Sequence, residues 1–256
     1  MAGTEATNAD DGPARKPRGP VALALLALVA AVLVAGFCAL GIWQVQRLAW
    51  KTDLIARTEA RLAADPVPAP GPADWPGITP ARDEYLKVTV TGTLMNTTDT
   101  LVQAVTDRGA GFWVMTPMAT EEGWTVLVNR GFVPADRREP GYRDYPEGTR
   151  TITGLLRLPE PGGAFLRAND PQADRWFSRD VAAIAQARGL GQVAPYFIDA
   201  AAGPDAAALP VGGLTVVSFR NHHLQYALTW FGMALGTLLC AGIVWRHEAR
   251  LRRAAR

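Results

Sequence analysis

The chain has 256 residues, 48% of them apolar, with 26 basic and 24 acidic side chains and a net charge of +2. That near balance supplies no basic patch dense enough for a nucleic-acid partner. Apolar runs near both ends point instead to a lipid bilayer.

In chain order, residues 1–20 read as a short tail carrying Arg15, Lys16 and Arg18. Val21–Trp43 follows with no charged residue, and Leu224–Trp245 repeats that pattern near the other end. At about 1.5 Å per residue, either run makes a helix long enough to cross a hydrocarbon core of about 30 Å. The apolar part of a cleaved signal peptide is shorter, about 7–15 residues, so the first run is expected to stay attached. Basic residues lie outside both runs: the three above, then Arg246, Arg250, Arg252, Arg253 and Arg256 in a tail at 246–256. The positive-inside rule then puts both termini in the cytoplasm and the middle segment in the periplasm, across a bacterial inner membrane. Cys38 and Cys240 lie inside the two runs at different depths, too far apart for a disulfide.

The first helix is expected to continue to about Ala64, because Leu48, Leu54, Ile55 and Leu62 recur at near-helical spacing among charged residues. Pro66, Pro68, Pro70, Pro72, Pro76 and Pro80 complete an extended connector, so that 44–80 forms one stretch. From 81 to 220 the pattern is mainly β. Leu86, Val88 and Val90 alternate with Lys87, Thr89 and Thr91. Further strands are predicted at Thr100–Val105, Phe112–Met118, Trp124–Asn129, Thr151–Leu158, Tyr196–Asp199 and Leu214–Phe219. One helix is predicted from Arg179 to Arg188, with Ser178 as its N-cap and Gly189 ending it. The fold class is therefore a membrane protein in which two transmembrane α-helices (21–43 and 221–245) flank a mainly β (α+β) periplasmic domain.

Asn221 is a plausible N-cap for the second span. At 100° per residue, His223, Tyr226 and Trp230 share one stripe, with Gly232, Gly236 and Cys240 opposite. Gly232-Met233-Ala234-Leu235-Gly236 is a G-x-x-x-G pattern, and Ala27, Ala31, Ala35 and Ala39 form a matching ladder in the first span. The expectation is that the spans pack through these small residues. His223, Tyr226 and Trp230 would then face outward, and His222 would lean towards the first span. The plain alternative is an aromatic belt with interfacial histidines.

Catalytic patterns are absent. There is no G-x-S-x-G, no H-E-x-x-H and no phosphate loop, and no histidine between 44 and 221. Pairs such as Asp83/Glu84 and Glu121/Glu122 read as solvated edges. The chain is not expected to be an enzyme, to have catalytic residues or to chelate a metal ion. A single imidazole on a haem iron fits the inventory better.

The motifs resemble those of the surfeit locus family of cytochrome oxidase assembly proteins, over about Gly41 to Trp245. They are Gly41, Trp43, Gln44 and Arg47 in G-x-W-Q-x-x-R, and Asn129-Arg130-Gly131-Phe132-Val133-Pro134. Next come Asn169, Pro171, Trp176, Arg179 and Asp180, then Pro195-Tyr196-Phe197-Ile198-Asp199. The last motif is Asn221, His223, Leu224, Tyr226, Thr229 and Trp230. The resemblance implies that the chain assists assembly of haem-copper cytochrome c oxidase by binding haem a or handing it to oxidase subunit I. The other partner would be haem a synthase. It implies His223 as the haem ligand ahead of His222, with Tyr226 and Trp230 beside it. Arg47 and Arg130 suit haem propionates, given the planar guanidinium. Asn129–Pro134 is read either as a contact with the subunit or synthase, or as a Gly-Phe turn with Pro134 stopping a strand. The alternative function is a membrane-anchored module that stabilises the oxidase subunit without binding haem.

Overall fold

The computed structural model describes residues 18–163, 167–205, 207–215, 217 and 221–254. They fall into two compact units, Ala56–Ser218 and the paired segments Met1–Ile55 and Phe219–Arg256. The chain opens with helix α1 (Pro20–Ala63), strand β1 (Val67–Pro68) and helix α2 (Pro80–Asp83). Strands β2 (Lys87–Leu94), β3 (Thr100–Thr106), β4 (Gly109–Thr120), β5 (Thr125–Pro134) and β6 (Thr149–Arg157) follow. Helix α3 (Val181–Ala187), strand β7 (Val193–Ala200) and helix α4 (His223–Ala254) complete it.

In the β unit, β2, β6, β7, β5 and β4 are successive neighbours. Gly92–Leu94 of β2 then pairs with Met118–Thr120 of β4 and closes a small barrel. Only β5 and β7 run parallel within that ring, with Asn129 opposite Asp199. Every barrel strand sends apolar side chains inward: Val88 and Val90, Leu156, Tyr196 and Ile198, Val126 and Val128, and Met118. One residue out of phase, Met115, Leu127 and Phe197 face the other way and are covered by Trp176 and by Val181 and Ile184 of α3. Both faces of β5 are thus buried, which explains its unbroken apolar run where a half-exposed strand would alternate. The proline-rich segment packs on the barrel. Trp75 meets Trp124 edge-on at 5.9 Å, and the Tyr196 hydroxyl donates to the Pro70 carbonyl at 2.7 Å.

Two local expectations are corrected. Leu214, Thr215 and Val217 carry no strand, and the rest of Leu214–Phe219 lies outside the described residues. The predicted helix begins at Val181, capped by Asp180 and not Ser178: the Asp180 carboxylate accepts from the Ala183 N–H at 3.1 Å. A carboxylate at a helix N-terminus also meets the favourable end of the dipole. The Ser178 hydroxyl instead accepts from the Gly163 N–H and the Asn169 amide, both at 3.0 Å.

The helical unit consists of α1 and α4, each long and apolar enough to cross a bilayer. They run antiparallel. At one end Glu248, itself buried, accepts from the Arg18 N–H at 3.0 Å and meets its guanidinium at 3.6 Å. At the other end His223 meets Gln44. Between them Phe37 stacks on Trp230 at 5.9 Å, and the Phe231 ring lies where a methyl on Gly41 would be, 2.6 Å away. The sheltered positions include Ala30, Val34, Phe37, Gly41, Gln44 and Leu48 on α1, and His223, Ala227, Trp230, Ala234, Gly236, Ala241 and Glu248 on α4.

This seam replaces the one expected from small residues. Ala27, Ala31, Ala35 and Ala39 are exposed, and nothing lies within 4 Å of where a methyl on Gly232 would sit. His223 and Trp230 face inward, while Tyr226 is outward as expected and His222 is exposed where it was expected to lean in. The physical reason is polar. Histidine, glutamine and glutamate gain hydrogen bonds by facing a partner helix, whereas an alanine ladder gains only dispersion contact.

Gly131 has φ of +132°, and a methyl there would lie 2.1 Å from the Val211 carbonyl oxygen. Gly131→Ala is therefore expected to cost about 2–3 kcal/mol in urea unfolding. Gly148→Ala, at φ +75° in open space, should cost only about 1 kcal/mol. Equal losses would put the whole cost on the backbone angle and none on the close approach.

Candidate functional site

The first motif and the last meet in the helical unit. Gln44 lies one α1 turn past Gly41, on the same sheltered face, and is 8% exposed. Its Oε1 lies 2.7 Å from Nδ1 of His223, in the first turn of α4. A carboxamide oxygen only accepts, so Nδ1 is the donor in this contact, and in the neutral ring that leaves the lone pair on Nε2. That fixes both the ring's orientation and its tautomer, as a hydrogen-bonded partner does for metal-binding imidazoles. Seven residues on, Trp230 lies in the same seam against Phe37. Tyr226 and His222 lie on the exposed side of α4. Arg47 is exposed one turn beyond Gln44, with its guanidinium 4.6 Å from the centre of the Trp50 ring. Asn221 caps nothing by its side chain: its Oδ1 is buried without a hydrogen-bond partner.

The central motif belongs to the β unit. Asn129–Pro134 is the second half of β5, not a turn, although Pro134 does end the strand. Positive φ at Gly131 admits the Val211 backbone, which exchanges two 2.9 Å hydrogen bonds with Phe132. The Asn129 side chain donates to Asp199 at 2.7 Å and accepts from the Gly131 N–H at 3.1 Å.

Asp199 is 4% exposed and collects more than Asn129. Arg157 reaches it at 2.9 Å, Arg179 at 3.2 Å and the Thr215 hydroxyl at 2.8 Å. Arg157 also donates to Glu84 at 2.8 Å, while Arg179 pairs with Glu160. Both guanidiniums lie over the Phe197 ring, at 6.0 and 4.7 Å. Burial pulls Arg157 down, but Asp199 and Glu84 outweigh it and hold the group above its ordinary value. Burial pushes Glu160 up, but the Arg179 hydrogen bond and charge outweigh that and hold it below its ordinary value.

Arg130 stands beside a second charged group. Its Nη2 donates to the Asp144 carbonyl, and its guanidinium lies 5.8 Å from the Tyr145 ring centre. Arg143 lies 5.5 Å from that ring centre and 3.7 Å from the Asp99 carboxylate, with both side chains 6% exposed. Thr116 donates to the other Asp99 oxygen at 2.5 Å. Burial pushes the Asp99 carboxyl up and pulls the Arg130 guanidinium down.

The structure thus brings together His223, Gln44 and Trp230, and leaves Tyr226, His222 and Arg47 on exposed surface of the same unit. Arg130 belongs to the β unit. Sequence reasoning missed Asp99, Arg143 and Arg157, and its reading of Asp83/Glu84 as a solvated edge is corrected: Asp83 is buried and accepts from the Thr79 N–H at 2.7 Å, and Glu84 accepts from Arg157 and the Leu158 N–H. Only Arg157 had a visible signal, a charge directly after the apolar Leu155-Leu156 of a predicted strand.

Asp199→Ala leaves two sheltered guanidiniums without their shared anion and is expected to cost about 3–5 kcal/mol in urea unfolding. Asp199→Asn, which keeps the shape and one acceptor, should cost less. A loss under 1 kcal/mol for the alanine variant (a typical value for an exposed pair) would remove Asp199 as the centre of the network. Glu160 adds a pH dependence. Its depressed pKa contributes stability present above the ordinary value of 4.5 and lost as pH falls through the folded value. The stability gap between wild type and Glu160→Gln should therefore close on acidification. A gap that stays constant with pH would contradict the pairing.

Comparison with known proteins gives a consistent result. The SURF1 family model matches residues 31–235. Surfeit locus protein 1 of Homo sapiens is 37% identical over 218 residues, covering 77% of this chain and 70% of that protein. The SURF1-like protein of Monosiga brevicollis is 36% identical over 215 residues, covering 78% and 79%. That of Caenorhabditis elegans is 31% identical over 234 residues, covering 82% and 70%. The family model spans the barrel and part of each long helix, and the relatives align over most of the chain, so the chain belongs to the SURF1 family.

Proposed function

We propose that this chain is an assembly factor for haem-copper cytochrome c oxidase that holds haem a, through His223, for insertion into oxidase subunit I. Family membership supports the first part. The Gln44–His223 hydrogen bond carries the second, because a ring that donates through Nδ1 to Gln44 is held in a fixed orientation with Nε2 left for a ligand. Bound haem would supply an iron able to accept the Nε2 lone pair. Gln44 sets the tautomer, and Trp230 and Phe37 give the site an aromatic wall. Arg47, exposed one turn away on α1, suits a propionate.

The outer faces of both helices support a lipid setting. Leu25, Leu28, Val32, Leu235, Leu239 and Ile243 are all exposed, a surface that water would penalise and acyl chains would not. Basic residues beyond both helices support cytoplasmic termini at a bacterial inner membrane, with the β unit on the periplasmic side. Subunit I and haem a synthase are the partners this reading requires.

The test is an absorption spectrum of protein purified from cells that make haem a. Wild type should carry haem, His223→Ala should lose it, and His222→Ala should retain it. Gln44→Leu should lower haem affinity about 10–100-fold, the usual cost of losing such a partner. Haem-free wild type would favour a brace that stabilises the oxidase subunit alone, and a spectrum unchanged in His223→Ala would remove that residue as ligand.

A further inference from the structure

Buried polar atoms without partners are rare in folded proteins, and each one asks for a cause. Among the described residues they concentrate on one side of the β unit: Asn96 Oδ1, Asp99 Oδ2, Arg130 Nη1, Arg143 Nε and Nη1, and Arg150 Nε. The donors in this set are guanidinium N–H groups. Each arginine is already oriented by a fixed neighbour. Arg130 donates Nη2 to the Asp144 carbonyl, Arg150 donates to the Glu147 carbonyl at 3.2 Å, and Arg143 lies against the Tyr145 ring.

Their neighbours answer only part of this set. Asp99 faces both Arg130 and Arg143, and the Tyr145 hydroxyl is a neutral neighbour whose pKa burial raises. Arg143 is within ion-pair range of Asp99 at 3.7 Å but beyond hydrogen-bonding range. Asp144, next to Arg130, is exposed. Arg143 is answered by Asp99 and Tyr145, and Asp144 offsets part of the Arg130 charge from the exposed side, but Nη1 of Arg130 and Nε of Arg150 still lack an acceptor.

A cavity of about 680 Å³ adjoins this group, within the usual range for small-molecule sites. Arg130, Arg150 and Asp144 lie in its wall, together with apolar Leu94, Ile152 and Leu214. The roof is formed by residues 200–205 and 208–213, pinned by Asp144 N–H to Leu209 carbonyl at 2.8 Å and Gly213 N–H to Ala200 carbonyl at 3.0 Å.

We propose that this cavity binds a small amphiphilic oxyanion. Its carboxylate or phosphate head engages Arg130 and Arg150, which lie in the wall and each carry a buried N–H without an acceptor, and its apolar body lies along Leu94, Ile152 and Leu214. Guanidinium forks match two-oxygen anions and accept them bidentately. Engaging the head turns the Arg130 and Arg150 side chains so that their unpartnered N–H groups meet the cavity. The proposal does not rest on haem binding. A haem propionate has the same carboxylate chemistry, so protein from cells unable to make haem a keeps the two apart.

The experiment is calorimetric titration of the full haem-free chain, in a non-ionic detergent, with inorganic phosphate, hexanoate, and sodium chloride at matched ionic strength. Saturable binding of phosphate or hexanoate, but not chloride, is expected, and whichever binds identifies the head. Arg130→Lys and Arg150→Lys keep the charge but lose the fork, and each should weaken binding about tenfold or more, as for a lost charge-assisted hydrogen bond. Arg175→Gln, on an exposed pair with Asp170, should leave it unchanged. An unchanged urea midpoint in the lysine variants shows that lost binding is not lost folding. No saturable heat at millimolar concentrations, an equal response to chloride, or affinity unaffected by both lysine variants would each overturn the site. Loss of binding with His223→Ala would overturn its independence from the helical unit.

Discussion

The buried carboxylate of Asp199 is the interaction on which the β unit depends. It closes β7 after the apolar Tyr196-Phe197-Ile198 and accepts from Asn129 on β5, Arg157 on β6, Arg179 before α3 and Thr215 beyond β7. Ion pairs of this kind add little net stability, because desolvation of the charges offsets their attraction. Their effect is on register. A one-residue slip of β5 or β6 would strand a charge inside the barrel wall, so alternative pairings are disfavoured far more than the native one is favoured.

The helical unit uses the same principle with fewer groups. Two long apolar helices have many nearly equivalent ways to pack, since one methyl contact is worth about as much as another. Polar contacts near the ends, Arg18 with Glu248 and Gln44 with His223, select one rotation of each helix. Gly41 then gives Phe231 a place to lie, and Phe37 stacks with Trp230. The side chains that orient the helices include His223, the histidine that the sequence singled out.

The motifs that carry the family likeness divide along this line. Asn129, Gly131, Asn169, Trp176, Arg179, Asp180 and Asp199 are fold-forming: they cap a helix, admit a close backbone or complete the buried ion network. Gln44 and His223 join the two helices by a hydrogen bond. Arg130 does neither. Its guanidinium stands in a cavity wall with one nitrogen unpartnered, although it sits between two residues whose roles are wholly structural.

The sequence alone determined the apolar helices, the strands of the barrel and the family, because these depend on composition, on period-two alternation and on local motifs. It also singled out His223. Only the tertiary structure decided which face of α4 that histidine occupies, that Asn129–Pro134 is a strand, and that Arg157 and Glu84 belong with Asp199. The reason is that a helix of uniform hydrophobicity carries no marker of its own seam. A lone charged residue in a strand likewise looks the same whether water or a buried counter-ion awaits it. Those outcomes are set by pairings distant in sequence, such as Gln44 with His223, whose energies exist only once both partners are in place.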